Sequence, residues 1–96
     1  RLGEIIFMKV NNVVSIVTTV GEFVGRFKSQ DDLTIVLDNP RALIQTQEGM
    51  GFAPSICATA PVSGEVSFNK TLVAFTLNTS AEVESAWQKV TSGIVL

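Results

Sequence analysis

Histidine and tyrosine are missing from this 96-residue chain, and cysteine occurs once, at Cys57. Without histidine, the chain lacks the commonest general base and the commonest metal ligand. A single cysteine can form neither an intrachain disulfide nor a two-cysteine metal site. Because Cys57 has no histidine partner for nucleophilic catalysis, we interpret it as a small buried packing residue. These absences predict a protein that is not an enzyme and that holds no metal or other cofactor.

Positive charge is also scarce, since seven Lys and Arg face nine Asp and Glu and the formal net charge is −2. Dedicated nucleic-acid binders usually carry a basic surplus, so a nucleic-acid site here would have to be a local patch. No apolar run reaches the roughly 18 residues of a membrane span, and the first residues lack the order of a signal peptide. One thiol without disulfides suits a reducing compartment. We therefore expect a cytoplasmic protein that does not enter the membrane.

Apolar residues, in contrast, make up 46% of the chain, and the mean hydropathy is +0.37. A chain of this length forms one domain, here residues 1–96, and buries about two-thirds of its unfolded surface. Two interpretations of the apolar excess stay open. The chain is either a compact, apolar-rich monomer or a subunit that buries part of its surface against other subunits.

Segments rich in β-branched and aromatic residues predict an antiparallel all-β fold. The predicted strands are residues 4–10, 13–20, 22–29, 33–38, 42–47, 65–68 and 71–77, of which the last two are a strand pair or one strand bent around Asn69-Lys70. The first of these also fits a short helix. We expect Asn39-Pro40 to end the strand before it, because proline cannot donate to a sheet ladder. Residues 48–64 are rich in glycine and proline, which predicts a long loop with room for one short strand and a turn at Gly49-x-Gly51.

The strand predicted over residues 22–29 alternates cleanly. Phe23, Gly25 and Phe27 share one face, while Val24 falls on the face that is expected to meet water. Glycine weakens a strand interior unless the backbone bends or approaches another segment there. We therefore predict a bend at Gly25, and a turn over residues 29–32.

The end of the chain has the features of a helix. Thr79 and Glu82 have the spacing of a capping box, and apolar residues recur at helical intervals from Val83 onward. Gly93 is a suitable stop, which gives a predicted helix over residues 79–93. Trp87 lies on the apolar face and is expected to fill the core, and stacking on a ligand is the less favoured alternative.

Residues 14–39, VSIVTTVGEFVGRFKSQDDLTIVLDN, resemble the first Sm motif of the Sm-like family. They are most similar to the bacterial Sm-like RNA chaperone branch. The resemblance rests on Gly21, on Gly25 with Asp31 six residues later, and on the run IVLDN at residues 35–39. The spacing between the two glycines is one residue shorter than the family usually shows. Such divergence suits a phage-encoded or otherwise remote branch of the family, and a phage-encoded member would work in the host cytoplasm.

The resemblance implies a strongly bent, five-stranded antiparallel open barrel of the Sm-like or SH3-like type over residues 1–78, followed by the C-terminal helix. It also implies a homo-oligomeric ring of about five to seven copies, in which edge strands of neighbouring subunits pair. The residues expected at this subunit interface are Leu72, Val73, Ala74, Phe75 and Leu77.

The resemblance further implies an RNA-base site in the turn after the second strand. The candidate residues are Gln30, Asp31, Asp32, Leu33 and Thr34. None of them is aromatic, so the base-stacking contact of the family is missing, and the second Sm motif is missing as well. Arg26 and Lys28 on the exposed face of the second strand are candidates for phosphate contacts. The alternative is that the carboxylates accept N–H groups of their own turn and that the two cations only solubilise the surface.

Two functions therefore stay open. The first is a ring that binds RNA at this turn. The second is a structural or protein-interaction ring component that kept the fold and lost the RNA site. A ring of six copies would carry a formal charge of about −12, which disfavours tight RNA binding at physiological salt.

Overall fold

The computed structural model describes residues 9–60 and 63–92. Its strands and helix are β1 (Val13–Thr18), β2 (Gly21–Gln30), β3 (Thr34–Thr46), β4 (Gly49–Phe52), β5 (Glu65–Asn69), β6 (Val73–Asn78) and α1 (Ala81–Thr91). A 3-10 turn, Lys70–Leu72, joins β5 to β6. Most of the strand predicted over residues 4–10 lies outside the described residues, and Lys9 and Val10 belong to no strand.

All strand pairs are antiparallel. The order is β4-β3-β2-β1-β6, and β5 pairs with the first half of β3. Five strands thus follow one path, β5-β3-β2-β1-β6, and β4 is added beside the second half of β3. The sheet is open, with β5 and β6 at the two ends of the five-strand path. The predicted small antiparallel all-β fold with a C-terminal helix is confirmed.

Strand β4 lies where the sequence predicted a turn. Gly49-x-Gly51 forms most of β4 and pairs with Thr46 and Ile44 of β3. The prediction of a glycine turn was wrong because the chain reverses one step earlier, at Gln47 and Glu48. There the hydroxyl of Thr46 donates to the carbonyl of Gly49 at 2.6 Å.

A bulge bends the sheet between β2 and β3. Val24 pairs with Arg41 and Arg26 with Asp38, so Gly25 alone faces both Asn39 and Pro40. The predicted bend at Gly25 is confirmed. The predicted break at Asn39-Pro40 is wrong, because β3 runs on through it. A proline needs no ladder hydrogen bond at a bulge, and asparagine tolerates the left-handed φ of 52° that Asn39 adopts.

Both faces of the sheet carry apolar clusters. The inner cluster comprises Val14, Ile16, Phe23, Phe27, Ile35 and Leu37. The outer cluster comprises Val13, Val24 and Trp87, with Phe52 and Val83 packed against it. Trp87 is fully buried, as the sequence predicted. The prediction that Val24 meets water is wrong, because Val24 is fully buried in a cluster with Trp87 of α1.

The start of α1 differs from the predicted capping box. Ser80 is the N-cap residue, and its side chain makes no capping hydrogen bond. The hydroxyl of Thr79 is buried and lies 2.8 Å from the hydroxyl of Ser15 instead. Because the Thr79 hydroxyl is engaged in this buried contact, it does not cap the helix. The helix covers Ala81–Thr91 rather than the predicted residues 79–93. Gly93, the predicted stop, lies outside the described residues. No helix in the described ranges is long and apolar enough to cross a membrane.

Candidate functional site

The turn that joins β2 to β3 is organised by the Asp31 carboxylate. Its Oδ1 accepts the backbone N–H groups of Leu33 and Thr34, each at 2.8 Å, and the hydroxyl of Thr34 at 3.1 Å. The backbone N–H of Asp31 donates to Thr34 O at 2.9 Å. The hydrogen bonds from Leu33 and Thr34 lower the pKa of Asp31, and the charge of Lys70 adds a smaller effect in the same direction. These hydrogen bonds therefore stabilise both the negative charge of the Asp31 carboxylate and the conformation of the turn.

The structure brings the five residues predicted for RNA together on this one turn. Gln30, Asp32 and Leu33 are exposed, and Leu33 keeps 69% of its surface in contact with solvent. Strand β2 extends to Gln30, so the turn is tighter than the predicted one over residues 29–32. Asp31 plays the turn-forming part that was the alternative to base binding.

We expect Asp31→Ala to lower the urea midpoint of unfolding at about pH 7, where the ionised carboxylate accepts its three hydrogen bonds. The folded pKa of Asp31 is lowered. Its contribution is therefore present above the unfolded value of about 3.9 and is lost as the pH falls through the folded pKa. The difference between Asp31→Ala and wild type should therefore be smaller at about pH 2 than at about pH 7.

Asp32→Ala is the matched control for this turn, because Asp32 accepts no hydrogen bond from the residues that the structure describes. Urea titrations followed by circular dichroism at the two pH values provide the measurement. Equal losses of stability in the two variants would contradict a specific role for Asp31.

The two candidate phosphate contacts have partners within the chain. Arg26 lies with Nη1 3.6 Å from Asp38 Oδ2, and its guanidinium carbon is 5.1 Å from the centre of the Trp87 ring. Lys28 Nζ donates to Asn11 Oδ1 at 3.2 Å. Arg26 thus links β2 to β3 and to α1, and an RNA phosphate would have to compete with those contacts.

The five predicted interface residues lie on and just before β6, at an end of the sheet. Phe75 is 54% exposed, and Leu72 and Leu77 are 42% and 40% exposed. Ala74 is also exposed, whereas Val73 is half-buried and packs against the inner cluster. An edge strand with several exposed large apolar side chains is a surface that promotes association.

The free backbone groups of β6 can be identified from its register with β1. Thr79 donates its N–H to Val13 O at 3.2 Å, so these two residues form a hydrogen-bonded pair. Bonded and non-bonded pairs alternate along an antiparallel ladder. Thr76 lies opposite Ile16 in a non-bonded pair, so its N–H and C=O point away from β1 toward the free edge.

The same reasoning applies to β5 at the other end of the path. Lys70 donates its N–H to Leu33 O at 2.8 Å, which defines a bonded pair. Ser67 lies opposite Val36, three positions along the ladder from the bonded pair of Lys70 and Leu33. Because bonded and non-bonded pairs alternate, an odd number of steps makes the pair of Ser67 and Val36 non-bonded. The N–H and C=O of Ser67 point away from β3. Both end strands thus present unpaired groups within the part of the chain that the structure describes.

An apolar cleft of about 230 Å³ was not foreseen from the sequence. Phe23 and Phe68, whose ring centres lie 5.2 Å apart, form part of its wall, together with Ile56 and Cys57 of the loop after β4. Its lining comes from several separate segments, so no local motif marks it. The one local signal is the segment SICATA, residues 55–60, in which four of six residues are apolar.

The lone cysteine is exposed, which makes the prediction of a buried packing residue wrong. The loop around it runs over the surface, and hydrogen bonds from the backbone and hydroxyl of Thr59 lower the pKa of the Cys57 thiol. Within residues 9–60 and 63–92, no group of His, Cys, Asp and Glu side chains is arranged to hold a metal ion.

No protein-family model matches this sequence, and no curated protein is significantly similar to it.

Proposed function

We propose that this chain is a self-assembling module of the Sm-like type, in which β6 of one copy pairs with β5 of the next. The observation that carries the proposal is the pair of edges at opposite ends of the β5-β3-β2-β1-β6 path, neither of which has a further strand beside it among the described residues. Because two different edges meet, the contact is heterologous, and repetition closes a ring when the rotation per copy allows it. Such a ring would serve as a structural or protein-interaction component.

The composition of the two edges supports pairing. Soluble proteins usually protect an edge with lysine, proline or an inward-pointing charge. Strand β6, VAFTLN, has none of these, and β5, EVSFN, has a single charged residue at its start, Glu65. No like charges would meet when the two strands pair. Exposed Phe75 and Leu77 would lose water-accessible apolar area at the contact between copies, in line with the interpretation that the chain buries part of its apolar surface against other subunits.

RNA binding at the Asp31 turn is the second candidate. It is favoured by the exposure of Gln30, Asp32 and Leu33 on a turn that is already ordered, with Lys70 close by. A ring would repeat this turn around its axis. The net charge of −2 and the internal contacts of Arg26 weigh against it, so we favour assembly without RNA.

The edges can be tested one at a time with proline. We expect wild type to scatter light with a mass of about five to seven times the 10.3 kDa of one chain. Thr76→Pro removes an outward N–H from β6, and Ser67→Pro removes one from β5, without breaking a bond to the neighbouring strand. Each variant alone should be a monomer, because each has one blocked edge.

Mixing the two variants provides the internal control for folding. Thr76→Pro keeps a free β5, and Ser67→Pro keeps a free β6, so the equimolar mixture should form a one-to-one dimer of twice the chain mass. A wild-type monomer at micromolar concentration would overturn the proposal. So would a mixture that stays monomeric while both variants show the circular dichroism of wild type.

The RNA candidate has its own measurement. Filter-binding titrations with U-rich and A-rich oligomers at ~50 mM salt favour detection, because phosphate contacts are strongest at low salt. Uptake by wild type that is reduced in Lys28→Ala would support RNA binding at the turn. If wild type binds neither oligomer under these conditions, RNA binding at the turn is excluded and assembly is left as the proposed function.

A further inference from the structure

Helix α1 is attached to the sheet mainly through one side chain. Among its eleven residues, only Trp87 is fully buried. Its indole Nε1–H donates to Asn39 O at 3.0 Å, and Arg26 lies against its ring. Val83 adds a partial contact to the outer cluster, while Val90 remains 42% exposed. The docking of α1 therefore depends on the Trp87 site.

The helix has little means of persisting away from the sheet. Isolated helices shorter than about 12–15 residues are marginal in water, and α1 has eleven residues. The side chain of its N-cap, Ser80, makes no capping hydrogen bond, although such a bond usually contributes to helix stability. Loss of the Trp87 contacts would therefore melt the helix as well as release it.

The sheet does not need α1 for its backbone hydrogen bonds. The chain is held to the end of the ladder by Thr79, through its N–H to Val13 O and its hydroxyl to Ser15. Beyond Thr79, the helix contributes no strand pair. Residues 80–92 can therefore leave the sheet without breaking any of its ladders.

We propose that α1 is a latch that docks and folds in one step through Trp87 and opens while the sheet stays folded. Opening uncovers Val13, Val24 and Phe52 on the outer face. Val24 and Leu77 lie on opposite sides of Ser15 in the same cross-strand row. The uncovered surface therefore joins the exposed Leu77 of the edge strand into one larger apolar face. This inference does not depend on the proposed assembly.

Trp87 is the only tryptophan of the chain, so its fluorescence reports the latch directly. In urea titrations of wild type, the fluorescence transition should precede the loss of strand signal in far-ultraviolet circular dichroism. Hydrogen exchange should show the amides of α1 exchanging at least about tenfold faster than the central amides of β1. Coincident transitions with equal protection of α1 and β1 would overturn the proposal.

A matched pair of variants distinguishes the loss of a contact between α1 and the sheet from the effect of the same substitution on the helix alone. Val83→Ala removes a side chain that packs on the outer cluster, and Val90→Ala makes the same change at an exposed position. We expect Val83→Ala to lower the fluorescence midpoint and to raise acrylamide quenching of Trp87 relative to Val90→Ala. The midpoint of the strand signal should be equal in the two variants. A parallel fall of both signals in Val83→Ala would show one cooperative unit and would contradict the latch.

Discussion

Replacement of Leu37 by alanine is expected to lower the free energy of unfolding by about 2–5 kcal/mol. Leu37 is fully buried at the centre of the inner cluster, on the half of β3 that pairs with both β2 and β5. Truncation removes apolar contacts and leaves a cavity that a sheet tied on both sides can close only in part. Urea denaturation at one fixed protein concentration gives the measurement, because the midpoint of an assembling chain varies with concentration.

Leu33→Ala is the matched control for this loss. It makes the same chemical change four residues away, on a side chain that is 69% exposed. We expect its effect to stay within about 0.5 kcal/mol. Comparable losses at Leu33 and Leu37 would contradict the assignment of the inner cluster as the main core.

Replacement of Gly25 by valine is expected to cost about 3 kcal/mol, at the upper end of the range for overpacking. A Cβ at this position would lie 3.0 Å from Pro40 Cα, 3.1 Å from Leu37 Cβ and 3.2 Å from Asp38 O. Two of these three atoms belong to the backbone of the bulge, which cannot move without breaking the register of β3. The expected result is a lower urea midpoint with an unchanged oligomeric mass, or failure to fold.

Gly51→Val tests the same substitution in a strand without the close approach. A Cβ there would meet only Thr46 Cγ2, at 3.8 Å. We expect a change within about 0.5 kcal/mol. If Gly25→Val were tolerated as well as Gly51→Val, the bulge would not require glycine.

The parts of the fold that were predictable follow from local periodicity. Strand β2 alternates over nearly its whole length, and its bounds differ from the predicted ones by one residue at each end. Residues 65–77 fitted either a strand pair or one bent strand, and the structure has two strands, β5 and β6. Strand β3 was predicted as two strands, because a proline inside a strand is normally evidence against it. Only the pairing of Gly25 with the Asn39-Pro40 bulge, a contact between distant residues, makes that proline acceptable.

The candidate sites divide in the same way. The Asp31 turn was predictable, because its hydrogen bonds join residues within three positions. The Phe23–Phe68 cleft and the exposure of Cys57 were not, because both depend on where the loop after β4 crosses the sheet. The burial of Val24 was missed for a related reason: alternation identifies two faces of a strand, and it does not reveal that a helix covers the second.

The antiparallel all-β class, the C-terminal helix with Trp87 in the core, the turn at Asp31 and the bend at Gly25 could all be predicted from the amino-acid sequence. Each of these depends on neighbours a few residues apart. Four further features became visible only in the folded chain: β3 is continuous, Gly49–Phe52 form a strand, Trp87 of α1 packs on Val24, and β5 and β6 are the end strands of the five-strand path among the described residues. These features depend on contacts between residues far apart in the chain, whose energies are not encoded in any local pattern.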